Sequence, residues 1–229
     1  MHAKTIDKQE LKVTSLEGKI SRNLKEINEI LKNYKAKLIA VTKYYTQEAI
    51  IEAYNQGLRD FGESRAIEAK EKIESLNSDI RKKSEFHFIG HLQRNKVKKV
   101  IGTFNLIQSL DSIELAKEIS KCASEQEIIQ KVLIQVNNAS EAQKFGIAPS
   151  QLNNFLNELS ELKNIEVIGL MNIAPLSNDE KELRKLFKGM YELKEEFNLK
   201  ELSMGMSNDY KIALDEGATM IRLGRAIFE

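Results

Sequence analysis

The sequence predicts an α/β chain folded as a closed (β/α)8 barrel of the TIM type. Three observations carry this. Eight short, nearly continuous apolar runs recur along the chain, and stretches of helical period separate them. No Pro/Gly/Ser-rich linker interrupts the alternation, and the 229 residues include only two prolines. Apolar runs of this kind mark strands buried on both faces, as in a parallel sheet. Eight of them with intervening helices point to a barrel. The rival is an open, doubly wound sheet, but open sheets usually have fewer strands.

The elements follow in order. Residues 7–34 read as a long amphipathic helix, with Leu16, Ile20, Leu24, Ile27 and Leu31 spaced by three and four. KLIAVTK (37–43) is the first strand, and 46–57 is a helix stopped by Gly57. DFGES (60–64) is a short strand and turn, followed by a helix at 65–76. EFHFIG (85–90) is the third strand, with a short basic helix at 94–100 after it. FNLIQSL (104–110) is the fourth strand, and Asp111 is the predicted N-cap of the next helix. KVLIQVN (131–137) is the fifth strand and 151–162 a helix. IEVIGLM (165–171) is the sixth strand and 179–197 a long helix. The closing unit supplies the last two strands, with a helix at 209–216, a stop at Gly217, an apolar strand at 219–223 and a turn at Gly224 and Arg225. No outer helix is predicted after the eighth strand, and the N-terminal helix is expected to cover that gap. The chain is expected to form one domain over 1–229, with segment 1–36 packed on the barrel.

Composition narrows the function. Lys and Arg number 35 against 34 Asp and Glu, a net charge of +1, so bulk charge points to neither a nucleic-acid nor a membrane partner. One cysteine, Cys122, forms no internal disulfide and fits a reducing compartment. No apolar run approaches the ~20 residues of a membrane span, and the N-terminus lacks a signal-peptide core. A cytoplasmic protein is expected. The chain lacks a G-x-G-x-x-G fingerprint, a P-loop and a G-x-S-x-G elbow, which removes support for three common chemistries.

Barrel closure makes the first and last strands neighbours. Lys43, at the end of the first, should therefore lie beside Arg222 and Gly224 at the C-terminal rim, where barrel active sites form. Desolvation at such a strand end disfavours the ammonium form of a lysine, and a neutral amine can attack an aldehyde to form a Schiff base. The alternative is a strand-end lysine turned to water. Ser203, Ser207, Gly224 and Arg225 can form a phosphate cup, because glycine admits close backbone approach and hydroxyls donate directly. Ordinary turn chemistry explains the same residues more blandly. Arg222, buried at the rim, must be paired or must hold a ligand. His87 reads as a satisfied core histidine, and His87 with His91 lacks a third metal ligand. Arg94, Lys96, Lys98 and Lys99 read as a solvated face, and Lys144 as a residue that could face the rim. Tyr44 and Tyr45 either stack over a ligand or close the rim.

In order and spacing, AVTKYY (40–45), FGESR (61–65), FHFIGHLQRNK (86–96), GLMNIAP (169–175), LSMGMSNDY (202–210) and MIRLGRAIF (220–228) resemble the motifs of the YggS/PROSC family, the pyridoxal 5′-phosphate (PLP) homeostasis proteins. The resemblance runs from about Lys37 to the C-terminus. It implies a barrel of the alanine racemase N-terminal-domain type that holds PLP as a Schiff base on Lys43. The phosphate would lie on Ser203 or Ser207, with Gly224 and Arg225, and Arg222 would face the pyridine nitrogen. An arginine there keeps that nitrogen unprotonated and weakens the cofactor as an electron sink. Two positions depart from the family pattern. Ser64, near the cofactor's ring oxygen, stands where asparagine is common, and Arg225 stands where threonine is frequent.

The resemblance thus implies a non-catalytic PLP carrier acting in vitamin B6 homeostasis, with apo PLP-dependent enzymes as partners. No β-rich second domain of the racemase kind follows the eighth strand, which points to a monomer and away from racemization. A PLP-dependent amino-acid racemase or lyase is the alternative. A phosphate-binding barrel without PLP is the third reading.

Overall fold

The structure, a computed structural model, describes residues 15–139 and 145–229. Eight parallel strands close into a barrel in sequence order. They are β1 (Lys37–Val41), β2 (Asp60–Glu63), β3 (Glu85–Phe88), β4 (Leu106–Leu110), β5 (Gln130–Gln135), β6 (Ile165–Met171), β7 (Glu201–Ser203) and β8 (Met220–Leu223). Helix α1 (Leu16–Leu31) precedes the barrel. The connections carry α2 (Gln47–Asn55), α3 (Ala66–Ser75), α4 (Ser78–Lys83), α5 (Val97–Val100), α6 (Ile113–Glu125), α7 (Leu152–Ser160), α8 (Glu180–Glu196) and α9 (Tyr210–Asp215), and α10 (Arg225–Phe228) follows β8. The ring is closed by β1 pairing with β8, which sets Ile39 opposite Arg222 and Ala40 opposite Leu223.

Successive residues of a strand point to opposite faces of the sheet, and this alternation builds two cores. Outward-facing Phe61, Phe88, Ile107 and Ile134 pack with helix residues such as Ile50, Ile119 and Phe187 into one continuous apolar shell. Inward-facing Ile39, Leu106, Leu133, Met171 and Met220 form a small separate plug inside the barrel. The plug leaves the remaining interior positions to polar side chains that lead up to the rim.

Helix α1 starts where Ser15 caps it, the hydroxyl accepting from the Gly18 N–H at 3.1 Å. It buries Ile20, Leu24 and Ile27, and Asn23 donates to the Ile227 carbonyl at 3.0 Å. In this way it lies against α10 beside β8. The predicted helical residues 7–14 and Lys144 lie outside the described residues, and the helix ends at Leu31 rather than at 34.

The other differences are local and physical. Thr42 and Lys43 sit beyond β1, because the Tyr45 N–H turns back to the Thr42 carbonyl at 2.9 Å. Asp111 is not the cap of α6. Ser112 takes that role, accepting from the Leu115 N–H at 3.3 Å, while Asp111 reaches His91 at 3.3 Å. The sequence reading missed α4, which Asn77 caps and which buries Ile80. It also missed α10, a single turn closed by the Gly224 carbonyl accepting from Ile227 and Phe228. Gly57 and Gly217 do stop their helices, at φ +97° and +90°, a region that favours glycine. Among the described residues no helix is long and apolar enough to cross a membrane.

Candidate functional site

A cavity of about 590 Å³ opens at the C-terminal rim. Barrel closure supplies its two principal walls, the segment after β1 and the segment after β8. Lys43, Ser64, Ser207, Arg222, Gly224 and Arg225 all line it. The loop 173–177 forms the opposite side, with Leu176 almost wholly exposed at the mouth.

The backbone that presents Lys43 is clamped from outside the barrel. Thr42 donates its N–H to the Gly62 carbonyl at 3.0 Å and its hydroxyl to buried Glu63 at 2.8 Å. Lys72, on α3, then donates to the same Glu63 oxygen at 2.7 Å and to the Thr42 carbonyl at 2.9 Å. A buried carboxylate is tolerated only when paired and hydrogen-bonded, and here each partner also fixes the residue preceding Lys43. The Lys43 ammonium lies 4.9 Å from the centre of the Tyr44 ring. Tyr45, also in the cavity wall, packs in a tilted arrangement on Phe228 at 4.4 Å and donates to Glu229 at 3.1 Å. Burial, then that bond, pushes its phenol pKa up.

Arg222 forms part of the cavity floor and is buried. Its guanidinium donates to the Ser203 hydroxyl at 2.6 Å and to the Asn172 carbonyl at 2.7 Å. Burial pulls it down to about 10, while the negative charge of Asp209 acts in the other direction. A guanidinium at that value is still charged at neutral pH. The salt bridge that a buried arginine might be expected to make is replaced by these two neutral acceptors, with Asp209 acting at longer range. Burial also raises the Asp209 carboxyl, against the opposing effects of the Met206 N–H and Arg222. The 2.6 Å bond from Met206 N–H to Asp209 ties down the turn that carries Ser207.

The two candidate serines are placed differently. Ser203 is fully buried at the end of β7 and does not line the cavity. Its hydroxyl accepts from Arg222 and donates to Gln108 at 2.7 Å, beneath the floor. Period-two alternation turns residue 203 inward, and the hydroxyl is spent there. Ser207 alone of the two serines reaches the cavity, accepting from the Ala226 N–H at 3.3 Å. Sequence reasoning missed Met206, Asn208, Asp209 and the 173–177 loop. The quoted GLMNIAP and LSMGMSNDY motifs contain most of them, which is the signal that was available.

At Gly224 the chain turns from β8 into α10. Its φ is −112° and its ψ −82°, and the three atoms nearest to an added Cβ all belong to Val41, at 3.4 Å or more. A methyl group therefore finds room beside Val41, and Gly224 itself lines the cavity.

The alanine racemase N-terminal domain family matches residues 17–229. A pyridoxal phosphate homeostasis protein of Aquifex aeolicus is 42% identical over 200 residues, covering 84% of this chain and 86% of that one. A protein of the same name from Schizosaccharomyces pombe is 33% identical over 199 residues, covering 83% and 82%. PipY of Synechococcus elongatus, solved with PLP bound, superposes with a TM-score of 0.82 at 36% identity, covering 92% of this chain and 100% of that one. An alanine racemase of Clostridium difficile, at 16% identity and TM-score 0.72, shares the fold over 91% of this chain and 56% of its own.

Proposed function

The chain belongs to the alanine racemase N-terminal-domain family and within it to the pyridoxal phosphate homeostasis proteins, and from that premise we propose that its rim cavity holds pyridoxal 5′-phosphate for cofactor supply rather than for turnover. The observation that carries the reading is the convergence of three unlike groups in one cavity. Lys43 offers an amine for an aldehyde. Arg222 offers a charged edge for a ring nitrogen. The Gly224 and Arg225 N–H groups, with the Ser207 hydroxyl, offer donors for a phosphate. The spare room at Gly224 fits this assignment, since a side chain there would intrude where the phosphate approaches.

Bound PLP supplies an aldehyde that condenses with an amine and a ring that withdraws electrons. Lys43 tethers the cofactor covalently. Ser207, Gly224 and Arg225 hold its phosphate, and the Arg225 side chain adds positive charge at the rim. Ser64, in the cavity lining, would lie toward the ring oxygen. Arg222 stays protonated and donates, so it returns no proton to the ring nitrogen and keeps the ring a weak electron sink. A tethered cofactor with weakened electron withdrawal suits storage and transfer to apo PLP-dependent enzymes. We read the chain as one cofactor-binding domain, a monomer acting in the cytoplasm.

Titration with PLP followed by visible absorbance tests the binding. Incubating the loaded protein with amino acids deuterated at the α-carbon tests the role. A saturable band with no sustained loss of label is expected. Exchange at catalytic rates would make the protein a racemase or lyase instead. A protein that stays colourless would leave only a phosphate-binding barrel.

A further inference from the structure

The barrel interior contains a continuous chain of hydrogen bonds that ends on Arg222. It starts at Asp60, the first residue of β2 and so at the end of the strand away from the rim. Asp60 lies 3.0 Å from His87 Nε2. His87 Nδ1 lies 3.1 Å from the Gln108 amide nitrogen. The Gln108 amide oxygen accepts from Ser203 at 2.7 Å, and Ser203 accepts from Arg222 at 2.6 Å. Five strands, β2, β3, β4, β7 and β8, supply one member each. His87, Gln108, Ser203 and Arg222 are all buried.

Counting donors fixes the direction of every link. The Ser203 hydroxyl already accepts from Arg222, so its single proton goes to the Gln108 oxygen. That orients the Gln108 amide with its NH2 group toward His87. His87 Nδ1 must then accept, which leaves the proton on Nε2 for Asp60. Turning the Gln108 amide over would place its NH2 group against Ser203, and the hydroxyl proton would lose its acceptor. The network therefore has one self-consistent arrangement. A core holding this many polar groups is less stable than a well-packed apolar one unless the network is complete. The adjacent plug shows that apolar side chains fit the same barrel.

We propose that Ser203, Gln108 and His87 are positioning residues for Arg222, and that the chain running from Asp60 locks the plane of the guanidinium and thereby sets the edge it offers to the cofactor ring. This rests on the PLP reading above. Ser203 then acts on the ring side of the site, through Arg222, and not on the phosphate. The Asn172 carbonyl holds the second guanidinium nitrogen at 2.7 Å, so the plane is fixed at two points.

The test compares wild type, Gln108→Met, Ser203→Ala and Ser203→Thr, each loaded with PLP. The readouts are the visible band, its pH profile and the dissociation constant. Gln108→Met and Ser203→Ala are expected to move the band and its pH midpoint and to weaken PLP by about three- to tenfold, the net worth of one ordinary hydrogen bond transmitted through Arg222. Ser203→Thr restores the hydroxyl and should restore the wild-type spectrum. Ser203→Ala removes a single oxygen and decides the matter if Gln108→Met does not fold. Variants that bind PLP with the wild-type band, pH profile and affinity would overturn the proposal. A wild-type protein that develops no band with PLP would overturn the binding reading itself, and the two failures are thus told apart.

Discussion

Side chains on the outer face of the sheet meet helices, and those on the inner face meet one another. Outside, Phe61, Phe88, Ile107 and Ile134 join a continuous apolar shell, interrupted by the buried Glu63–Lys72 pair behind Lys43. Inside, five apolar residues share the barrel with His87, Gln108, Ser203 and Arg222. Both faces are equally buried, so burial alone does not say what a residue is for. The outer face supplies stability through removal of apolar surface from water. The inner face gives up some of that stabilisation to a polar chain that ends at the rim cavity. Substitutions in the apolar outer shell should therefore alter folding and leave the site alone, and substitutions in the inner polar chain or at the rim should bear chiefly on the site.

The largest expected effect lies outside. Phe187, on α8, is completely buried, and Phe187→Ala should cost about 3–5 kcal/mol in urea unfolding. The folded fraction should bind PLP with an unchanged visible band. A changed band would break the division between the two faces. Next comes the rim. Gly224→Ala should leave urea stability within about 1 kcal/mol of wild type, since the new methyl group meets Val41 only at ordinary contact distance. It should weaken PLP by about tenfold or more, read by absorbance titration, because it displaces the phosphate from its backbone donors. Equal PLP affinity would remove the phosphate from Gly224.

A smaller effect sharpens the outer half. Ser112→Ala deletes the N-cap of α6 and should cost about 1 kcal/mol, with no change in cofactor affinity. The smallest effect is a slope with pH. Burial holds the Asp209 carboxyl above the ordinary aspartate range. The folded protein therefore takes up that proton more readily than the unfolded chain does. Its contribution to stability is complete below the unfolded value and is lost as pH rises through the raised folded one. Asp209→Asn removes this dependence. Urea unfolding over a pH series should show wild type gaining on the variant as pH falls through that window. A constant difference would contradict the burial argument.

The sequence made the outer architecture legible and the inner face obscure, for one physical reason. Amphipathic helices announce themselves by period, as Leu24 and Ile27 do in α1, and β6 was placed at 165–171 with its observed ends. Strands buried on both faces show no alternation in sequence, so nothing distinguished inward Gln108 from its outward neighbours. Ser203 and Ser207 stand four apart in one turn-rich stretch, and only the end of β7 separates the inward hydroxyl from the one in the cavity. Asp111 and Ser112 are both good caps, and the choice depended on which side chain pointed back along the helix. The assembly of the site was legible because it followed from topology. Closing β1 on β8 brings Lys43 to Arg222, Gly224 and Arg225 regardless of side-chain detail.

The covalent tether is the central claim, and the most direct measurement is borohydride reduction of the PLP-loaded protein followed by peptide mass mapping. The account predicts a phosphopyridoxyl mass on the peptide containing Lys43, absent from Lys43→Ala. A label on another lysine, or no label on a protein that is folded and saturated with PLP, would contradict it.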